Sequence, residues 1–518
     1  MKLITLLMPV VGCTVIALAG GAPRTPFLPE IPRVWDDAAL AEWATPLAGL
    51  NLRPTHMSSS EYYATPVDNL KTYPVYAPDR EPAGYWEMLR KVGPTPLLQP
   101  EALTNDSEWV AAGRRVFEEA DAIALRTYDA EFIDLVRSAE SVRRLGADVT
   151  SDGTLPDLRW VPTEKGVALS VPICSNCHTQ RHRDGRVIIG APAGGPLMFR
   201  TTGIVPRLHP ANRVVPAASP FVITAPMGEA AYQAWGVPWL ANDRHQQLKD
   251  VTGERVETII AASARSGGAP RWNGSPYYPA KAPDLIGIKD RKYIDHTATH
   301  LHRGIGDLMR YAALNQGMDM LARFGDFVPA GDAREVGGGF FERAGSARYS
   351  DEQLYALARY IYSLKPPPNP NTRDALAVRG QRVFEAERCG TCHTPPIYTN
   401  NALTPAPGFT VPEDHFKKFK ILPRSVGTDP TLTRTTRRGT GYYKVPSLKG
   451  VWYRGPFEHN GSVATLEDWF DPRRLRNDYV PTAWKGYGVT TRAVPGHEFG
   501  LKLPAEDKRA LIAFLKTL

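Results

Sequence analysis

The chain has 518 residues, of which 42% are hydrophobic and 22% charged, and its formal net charge is +8. This length exceeds what a single hydrophobic core usually serves, so we expect two domains, and the composition is that of an ordinary globular protein. The chain has no polybasic block and no interleaving of aromatic and basic residues, which argues against a nucleic-acid-binding protein.

The amino-terminal segment is typical of an export signal. Lys2 supplies a positive charge, residues 3–18 are almost wholly apolar, and a small-x-small cleavage site (Ala-Leu-Ala) closes the run. The residues before Cys13 also resemble a lipoprotein cleavage box, but the apolar run continues past this cysteine, so we favour simple cleavage over a lipid anchor. No later stretch is long enough for a transmembrane span. The sequence therefore predicts a signal peptide at 1–19 and a periplasmic or secreted protein.

The segment after the signal peptide lacks a clear structural pattern. Residues 20–105 are rich in proline and tyrosine and show little hydrophobic periodicity. We expect an extended amino-terminal arm that wraps on the body of the protein. The sequence indicates no function for it.

Two pairs of helical segments repeat along the chain. The segment 113–118 (GRRVFE) recurs as 380–385 (GQRVFE). The apolar spacing of 350–364, which opens with a good helix N-cap, recurs in 505–518. Such self-similarity is typical of a duplicated structural unit.

These repeats predict the domain boundaries. A proline-rich stretch at 366–370 stops the first closing helix and forms a stiff linker. Domain one then spans 106–365, including a stretch at 120–171 that we interpret as an inserted helical excursion. Domain two spans 372–518. The predicted fold class is mainly α, with two domains, long loops and the amino-terminal arm.

Each domain contains one Cys-x-x-Cys-His motif. The chain has five cysteines, and the four beyond the signal peptide form these motifs, which are Cys174, Cys177 with His178, and Cys389, Cys392 with His393. The spacing lets both thiols add to the vinyl groups of one haem while the adjacent imidazole becomes the proximal iron ligand. A redox disulfide or a structural zinc site would not require the histidine in both copies. The sequence predicts two covalently attached haem c groups in two cytochrome c-like domains, with His178 and His393 as metal ligands.

The second axial ligand of the carboxy-terminal haem is open to three candidates. None of the nine methionines lies in domain two, and the histidines left there are His415, His459 and His497. We favour His497 as the metal ligand because it lies on a glycine-flanked loop just before the closing helix. Two imidazoles would give a six-coordinate, low-potential haem. His459 is the second choice, and the charged neighbours of His415 are typical of an exposed loop.

Domain one carries a histidine-rich segment at 296–303. His296 and His300 would share one face of a helix, whereas His300 and His302 would share one face of a strand. A pocket for oxygen or peroxide needs polar groups over an apolar cavity, and we expect His300, His302 and Arg303 to be its catalytic residues. The competing interpretation is that these residues bond haem propionates or cap a turn.

Several motifs resemble a known superfamily. The segments 445–450 (VPSLKG) and 455–463 (GPFEHNGSV) resemble the signature of the bacterial di-haem cytochrome c peroxidases. Within that superfamily the chain is similar to the secreted rubber-oxygenase branch, on the long gap before its first haem motif, its 496–499 segment (GHEF) and the lack of methionine in domain two. In that branch the amino-terminal haem is open to oxygen, and two histidines hold the carboxy-terminal haem, so His497 would match the second of them. Where the peroxidases have a methionine ligand, this chain reads WFDPR at 469–473, which puts ordinary peroxidase turnover in doubt.

The resemblance implies an oxidoreductase that acts on peroxide or dioxygen, with a small redox protein or an apolar substrate as its partner. The alternative is a non-catalytic electron carrier with two six-coordinate haems. The peroxidase signature also often accompanies a calcium ion between the domains, although no ligands for it can be identified in the sequence.

Overall fold

The computed structural model describes residues 26–145, 149–182, 185–193, 227–251, 274–329 and 345–518, together with residues 255 and 259 and the pair 268–269. The predicted signal peptide lies outside the described residues. Within them the chain is rich in helices, as expected, and also contains small antiparallel sheets. No helix in this part of the chain has both the length and the apolar character needed to cross a membrane.

Most helices are short, and four of the longer ones form the two main helix pairs. The helices are α1 (Asp37–Ala41), α2 (Ser59–Ala64), α3 (Tyr85–Val92), α4 (Asp106–Glu119), α5 (Ala130–Val136), α6 (Ala139–Leu145), α7 (Cys174–Cys177), α8 (Met227–Trp235), α9 (Ile305–Leu314), α10 (Asp351–Ser363), α11 (Ala375–Ala386), α12 (His415–Lys418), α13 (Thr431–Thr435), α14 (Leu466–Trp469) and α15 (Ala505–Lys516).

The strands form one three-stranded sheet, in the order β1-β2-β3, and three two-stranded ladders, β4-β5, β6-β7 and β8-β9. All of these pairings are antiparallel. The strands are β1 (Tyr73–Tyr76), β2 (Thr154–Thr163), β3 (Gly166–Ser170), β4 (Thr179–Arg181), β5 (Val187–Ile189), β6 (Gly268–Ala269), β7 (Ala280–Lys281), β8 (Leu403–Pro405) and β9 (Tyr442–Lys444).

The two repeated helix pairs cross in the same way. Helix α4 packs on α10, and α11 packs on α15. A Cβ added to Gly113 would lie 1.8 Å from the carbonyl oxygen of Ala356, and a Cβ added to Gly380 would lie 1.8 Å from the carbonyl oxygen of Ala510. Glycine is the residue that permits such a close approach of two backbones. The sequence repeat is therefore also a repeat of helix packing.

Side-chain caps explain where three of these four helices begin. The side chains of Asn105, Ser350 and Asp374 accept hydrogen bonds from backbone N–H groups three residues further along α4, α10 and α11. Ser350 and Gln353 also complete a capping box. Helix α15 instead follows Pro504, whose fixed φ suits the start of a helix.

The amino-terminal arm is more structured than expected. It contains α1, α2, α3 and β1 within residues 26–105. Trp35 and Trp43 are completely buried in the same hydrophobic cluster as residues of α4, α9 and α10. The arm therefore contributes to the core of the amino-terminal half as well as wrapping on it.

The helical interpretation of 120–171 is wrong for its second part. Helices α5 and α6 are followed by the hairpin β2–β3, in which Trp160 pairs with Leu169 and Thr163 pairs with Gly166. Strand β1 of the arm completes this sheet. The aromatic and β-branched residues of these strands favour the pleated conformation. Gly166 provides the positive φ of 111° at the turn.

Candidate haem centres

The carboxy-terminal motif lies directly after α11. Cys389 begins a short 3-10 turn, and the backbone N–H of His393 donates to the Cys389 carbonyl over 2.9 Å. The Nδ1–H of His393 faces the carbonyl oxygens of Tyr398 and Pro446, at 3.3 and 3.2 Å. A histidine that donates from Nδ1 keeps the lone pair of Nε2 for a metal. Neither Cys389 nor Cys392 forms a disulfide, so both thiols are available for attachment to a haem.

His497 lies opposite His393. The centroids of the two imidazole rings are 6.1 Å apart. Two metal–nitrogen bonds of about 2 Å and the two centroid-to-nitrogen distances place the rings of trans axial imidazoles about 6 Å apart. The observed spacing therefore fits one iron atom between the rings. The buried Nδ1 of His497 has no hydrogen-bond partner among the described residues, and the ring packs between Trp469 and Phe499.

A buried arginine holds the loop of His497. The guanidinium of Arg474 donates to the carbonyl oxygens of Val494, Gly496 and His497, at 2.7–3.0 Å. Gly496 has a φ of 89°, and a Cβ there would lie 2.4 Å from the backbone nitrogen of Thr428. The glycine beside the histidine was visible in the sequence, whereas Arg474 was not singled out because its acceptors lie about twenty residues further along the chain.

Burial keeps both facing histidines neutral. Burial, and then the nearby His497 ring, lower the pKa of His393 to about 4. Burial also lowers the pKa of His497. Both imidazoles are thus unprotonated near pH 7, the state in which a ring nitrogen binds iron.

The two rival histidines of this half are engaged elsewhere. His415 is buried, with 3% exposure, and its Nδ1 lies 2.9 Å from the Tyr442 hydroxyl, so the interpretation as an exposed loop residue is wrong. The charged neighbours of His415 suggested an exposed residue, but only one side of the short helix α12 faces solvent, and His415 lies on the other side. His459 has its Nδ1 3.0 Å from the carboxylate of Glu458, and its ring stacks on Tyr443.

The amino-terminal motif lies on α7. Cys174 and Cys177 are its first and last residues, and neither forms a disulfide. The Nδ1–H of His178 donates to the Pro283 carbonyl oxygen over 3.0 Å, as His393 does to Pro446. A histidine that donates from Nδ1 in this way can bind a metal through Nε2.

The histidine-rich segment 296–303 is a loop rather than a helix or a strand. Thr299 donates its hydroxyl proton to Asp295 over 2.5 Å, and Nδ1 of His300 lies 2.9 Å from the same hydroxyl oxygen. Because that proton is committed to Asp295, His300 donates from Nδ1 and keeps a lone pair on Nε2. This Nε2 is buried and has no hydrogen-bond partner.

The arm adds a second histidine to this loop. The ring centroid of His56 lies 5.4 Å from that of His300, and both of its nitrogens are buried without a partner. The Trp43 ring packs on His300, with centroids 4.1 Å apart, and Trp35 lies 6.0 Å from His56. Burial, followed by the proximity of His300, lowers the pKa of His56 to about 3, and burial lowers the pKa of His300 to about 4. Sequence reasoning missed His56 because no local pattern marks it.

The other two predicted catalytic residues make different contacts. His302 has its Nδ1 2.6 Å from the Arg291 carbonyl and its Nε2 2.7 Å from the hydroxyl of Tyr362 on α10. Arg303 pairs with Asp307 on α9 at 2.7 Å, and its side chain is 43% exposed. Both sets of contacts favour a positioning role.

We expect the free energy of unfolding to fall as the pH drops from about 6.5 to about 4. In the unfolded chain His56 and His300 are protonated near pH 6.5, whereas in the folded chain they are protonated only near pH 3 to 4. The unfolded state therefore binds more protons in this window, and the free energy of unfolding rises with pH across it. If the full pKa differences are realised, His56 contributes about 5 kcal/mol and His300 about 3 kcal/mol. Denaturant unfolding at a series of pH values measures this slope, and His56→Gln with His300→Gln should flatten it. An unchanged slope in the double variant would contradict the prediction, because the other buried histidines are common to both proteins.

No group of three or more His, Cys, Asp or Glu side chains within the described ranges could hold a metal ion. The calcium ion that the resemblance implies therefore gains no support from the side chains that the structure describes.

Comparison with known proteins agrees with the motifs. A sequence profile of the family described as RoxA-like, cytochrome c-like matches residues 441–485. The cytochrome-c peroxidase IdrP1 of Pseudomonas sp. (strain SCT) is 27% identical over 166 residues, which cover 29% of this chain and 41% of that protein. The chain thus matches less than half the length of this relative.

Two solved structures are similar over part of the chain. One is a MauG-like protein associated with microbial copper homeostasis, with 19% identity over 46% of this chain and 73% of that chain, and a TM-score of 0.25. The other is the hydrazine synthase of Kuenenia stuttgartiensis, with 13% identity over 57% of this chain and 88% of that chain, and a TM-score of 0.27. TM-scores this low do not establish a shared fold.

The profile match covers the segment that contains both signature motifs, and the curated relative is a cytochrome-c peroxidase. On the sequence findings, the chain is similar over part of its length to the RoxA-like cytochromes and to a cytochrome-c peroxidase.

Proposed function

We propose that the chain is an exported oxidoreductase with two haem c groups. In this proposal His178 would hold one haem, which would supply reactivity toward peroxide or dioxygen, and His393 would hold the other, which would supply electron transfer. The proposal rests on a difference between the histidines of the two halves. His393 faces His497 at 6.1 Å, whereas the core of the amino-terminal half holds neutral imidazoles with unpartnered nitrogens.

The pairing of His393 with His497 supports an electron-transfer role for the carboxy-terminal centre. His393 and His497 would together hold a haem, which would supply one-electron redox chemistry. The buried loop contacts of Arg474 keep His497 in place. A rigid ligand set limits the rearrangement that accompanies a change of oxidation state.

His300 and His56 support a reactive centre in the amino-terminal half. Trp35 and Trp43, which contact His56 and His300, belong to a hydrophobic cluster against which Cys174 of the first haem motif also packs. The Nε2 lone pair of His300 can accept a proton from a bound acid such as peroxide, while Thr299 and Asp295 fix its ring.

We assign acid–base work to His300 and His56, and positioning to His302 and Arg303. The two tryptophans exclude water from the imidazole pair, and a low local dielectric strengthens the polar contacts of a bound oxidant. An apolar substrate or a small redox protein would complete the reaction as electron donor. Export rests on the predicted signal peptide at 1–19.

Low-temperature EPR of the oxidised holoprotein, before and after one equivalent of peroxide, tests the proposal. We expect a high-spin signal that peroxide removes, beside a low-spin signal from the other haem. His178→Ala should abolish the high-spin signal and leave the low-spin one. His56→Gln with His300→Gln should keep the high-spin signal and slow its reaction with peroxide by about 100-fold or more.

The outcomes separate the alternatives. A high-spin signal indifferent to peroxide, together with oxygen-dependent cleavage of an apolar substrate, would assign the centre to oxygenase chemistry. Two low-spin signals and no reaction, in either oxidation state, would contradict the proposal and favour a pure electron carrier.

A further inference from the structure

The two halves share a second duplication, around the carbonyls that accept from the proximal histidines. Residues 281–299 align with 444–462 without a gap. The identical pairs are Lys281 and Lys444, Pro283 and Pro446, Leu285 and Leu448, Gly287 and Gly450, Arg291 and Arg454, and His296 and His459.

The local structure of this segment is also duplicated. The guanidinium of Arg291 donates to the backbone carbonyls of Asp284 and Ile286, at 2.5 and 2.6 Å. Arg454 makes the same two contacts in the carboxy-terminal half, at 2.6 and 2.9 Å. Its acceptors are the carbonyls at the aligned positions, Ser447 and Lys449.

The side chain of each lysine donates hydrogen bonds to the opposite half of the chain. The ammonium group of Lys444 donates to carbonyl oxygens of the amino-terminal half, at 3.0 and 2.7 Å. The ammonium group of Lys281 donates to carbonyl oxygens of the carboxy-terminal half. The acceptors are Tyr293 and Ile294 for Lys444, and Arg454 and Pro456 for Lys281.

The backbone repeats this pattern. The N–H of Lys281 donates to the His459 carbonyl over 2.7 Å, and the N–H of Lys444 donates to the His296 carbonyl over 3.0 Å. Since 281 aligns with 444 and 296 aligns with 459, the contacts are reciprocal. The duplicated segments thus meet across an approximate two-fold axis.

Each lysine lies two residues before a proline whose backbone carbonyl accepts a hydrogen bond from a proximal histidine. The carbonyl of Pro283 accepts from His178, and the carbonyl of Pro446 accepts from His393. A short segment therefore joins each proximal histidine to a lysine, and the lysine joins it to the opposite half.

Both ammonium groups are buried, and burial of a positive charge costs free energy. Burial, and then the neighbouring Arg454, lower the pKa of Lys281 to about 7, and burial, and then Arg291, lower that of Lys444 to about 7. Their hydrogen-bond acceptors are carbonyl oxygens rather than carboxylates. A buried amine with no direct carboxylate partner adds little to stability, so its contacts are better explained by the geometry that they fix.

We propose that Lys281 and Lys444 are positioning residues that clamp the acceptor of each proximal histidine to the opposite half and thereby couple the two haem sites. This inference rests on the proposed function only in taking His178 and His393 as proximal ligands. It does not require either haem to react with peroxide.

The test measures the midpoint potentials of both haems in the holoprotein by spectroelectrochemistry, together with the EPR g-values of the low-spin haem. Lys281→Met and Lys444→Met should each shift the potentials of both haems, because each variant removes the hydrogen bonds that join the acceptor segment of one proximal histidine to the opposite half. Lys289→Met and Lys449→Met, which alter exposed lysines in the same two segments, should leave both potentials unchanged.

A shift confined to the haem of the substituted half, or no shift in either, would overturn the proposal. So would a lower melting temperature with unchanged potentials, which is the result of a merely structural role. If a methionine variant fails to retain its haems, Lys281→Gln and Lys444→Gln, whose shorter side chains do not reach the same pair of carbonyl oxygens, are read in the same way. The absence of a high-spin haem in the unsubstituted protein would contradict the proposed function, yet both potentials would remain measurable.

Discussion

Replacing His497 with alanine should convert the carboxy-terminal haem from a low-spin, six-coordinate centre to a high-spin, five-coordinate one. The two imidazole rings lie 6.1 Å apart, which fits one iron, and His497 is held there by the backbone contacts of Arg474. Without His497, His393 would be the remaining histidine able to hold the iron at this site. EPR and optical spectra of the oxidised holoprotein should show near-complete loss of the low-spin signal of this haem.

Two other histidines provide matched controls. His415→Ala and His459→Ala remove buried rings of the same half whose contacts are with Tyr442 and Glu458. Both variants should keep the low-spin signal. Its survival in His497→Ala, or its loss in either control, would show that another residue is the second axial ligand.

Alanine at Gly113 or at Gly380 should destabilise the protein by at least about 3 kcal/mol. A methyl group at either position would lie 1.8 Å from a backbone carbonyl oxygen of the partner helix, so the helices must move apart. Alanine gains only about 1 kcal/mol of helix propensity over glycine, which is too little to offset the lost packing. Denaturant unfolding followed by circular dichroism measures the difference, and the haem content of each variant shows whether the paired helices still form.

Gly304→Ala is the control for backbone contact. A Cβ at this position meets nothing within 4 Å, and its extended φ of 173° suits any residue. Gly304 precedes α9 as its N-cap, so we expect a cost below about 1 kcal/mol. Equal costs at all three glycines would argue against the helix crossings.

The repeated helices illustrate what is predictable from sequence. Gly113 and Gly380 stand in copies of one hexapeptide, and the closing helices share one apolar spacing. Helix pairing depends on such local patterns, so the pairs α4–α10 and α11–α15 could be inferred in advance. The hairpin β2–β3 could not, because its strands follow two true helices and complete their sheet with β1, which is distant in sequence.

The candidate sites divide in the same way. The sequence by itself determined the two Cys-x-x-Cys-His motifs, because attachment chemistry requires five consecutive residues and nothing else. It also ranked His497 first, on the glycine beside it. Only the tertiary structure brought His497 opposite His393, His56 beside His300, and each clamp lysine onto the other half. Those pairings join residues far apart in the chain, and the packing of the whole core, rather than any local spacing, decides which distant side chains meet.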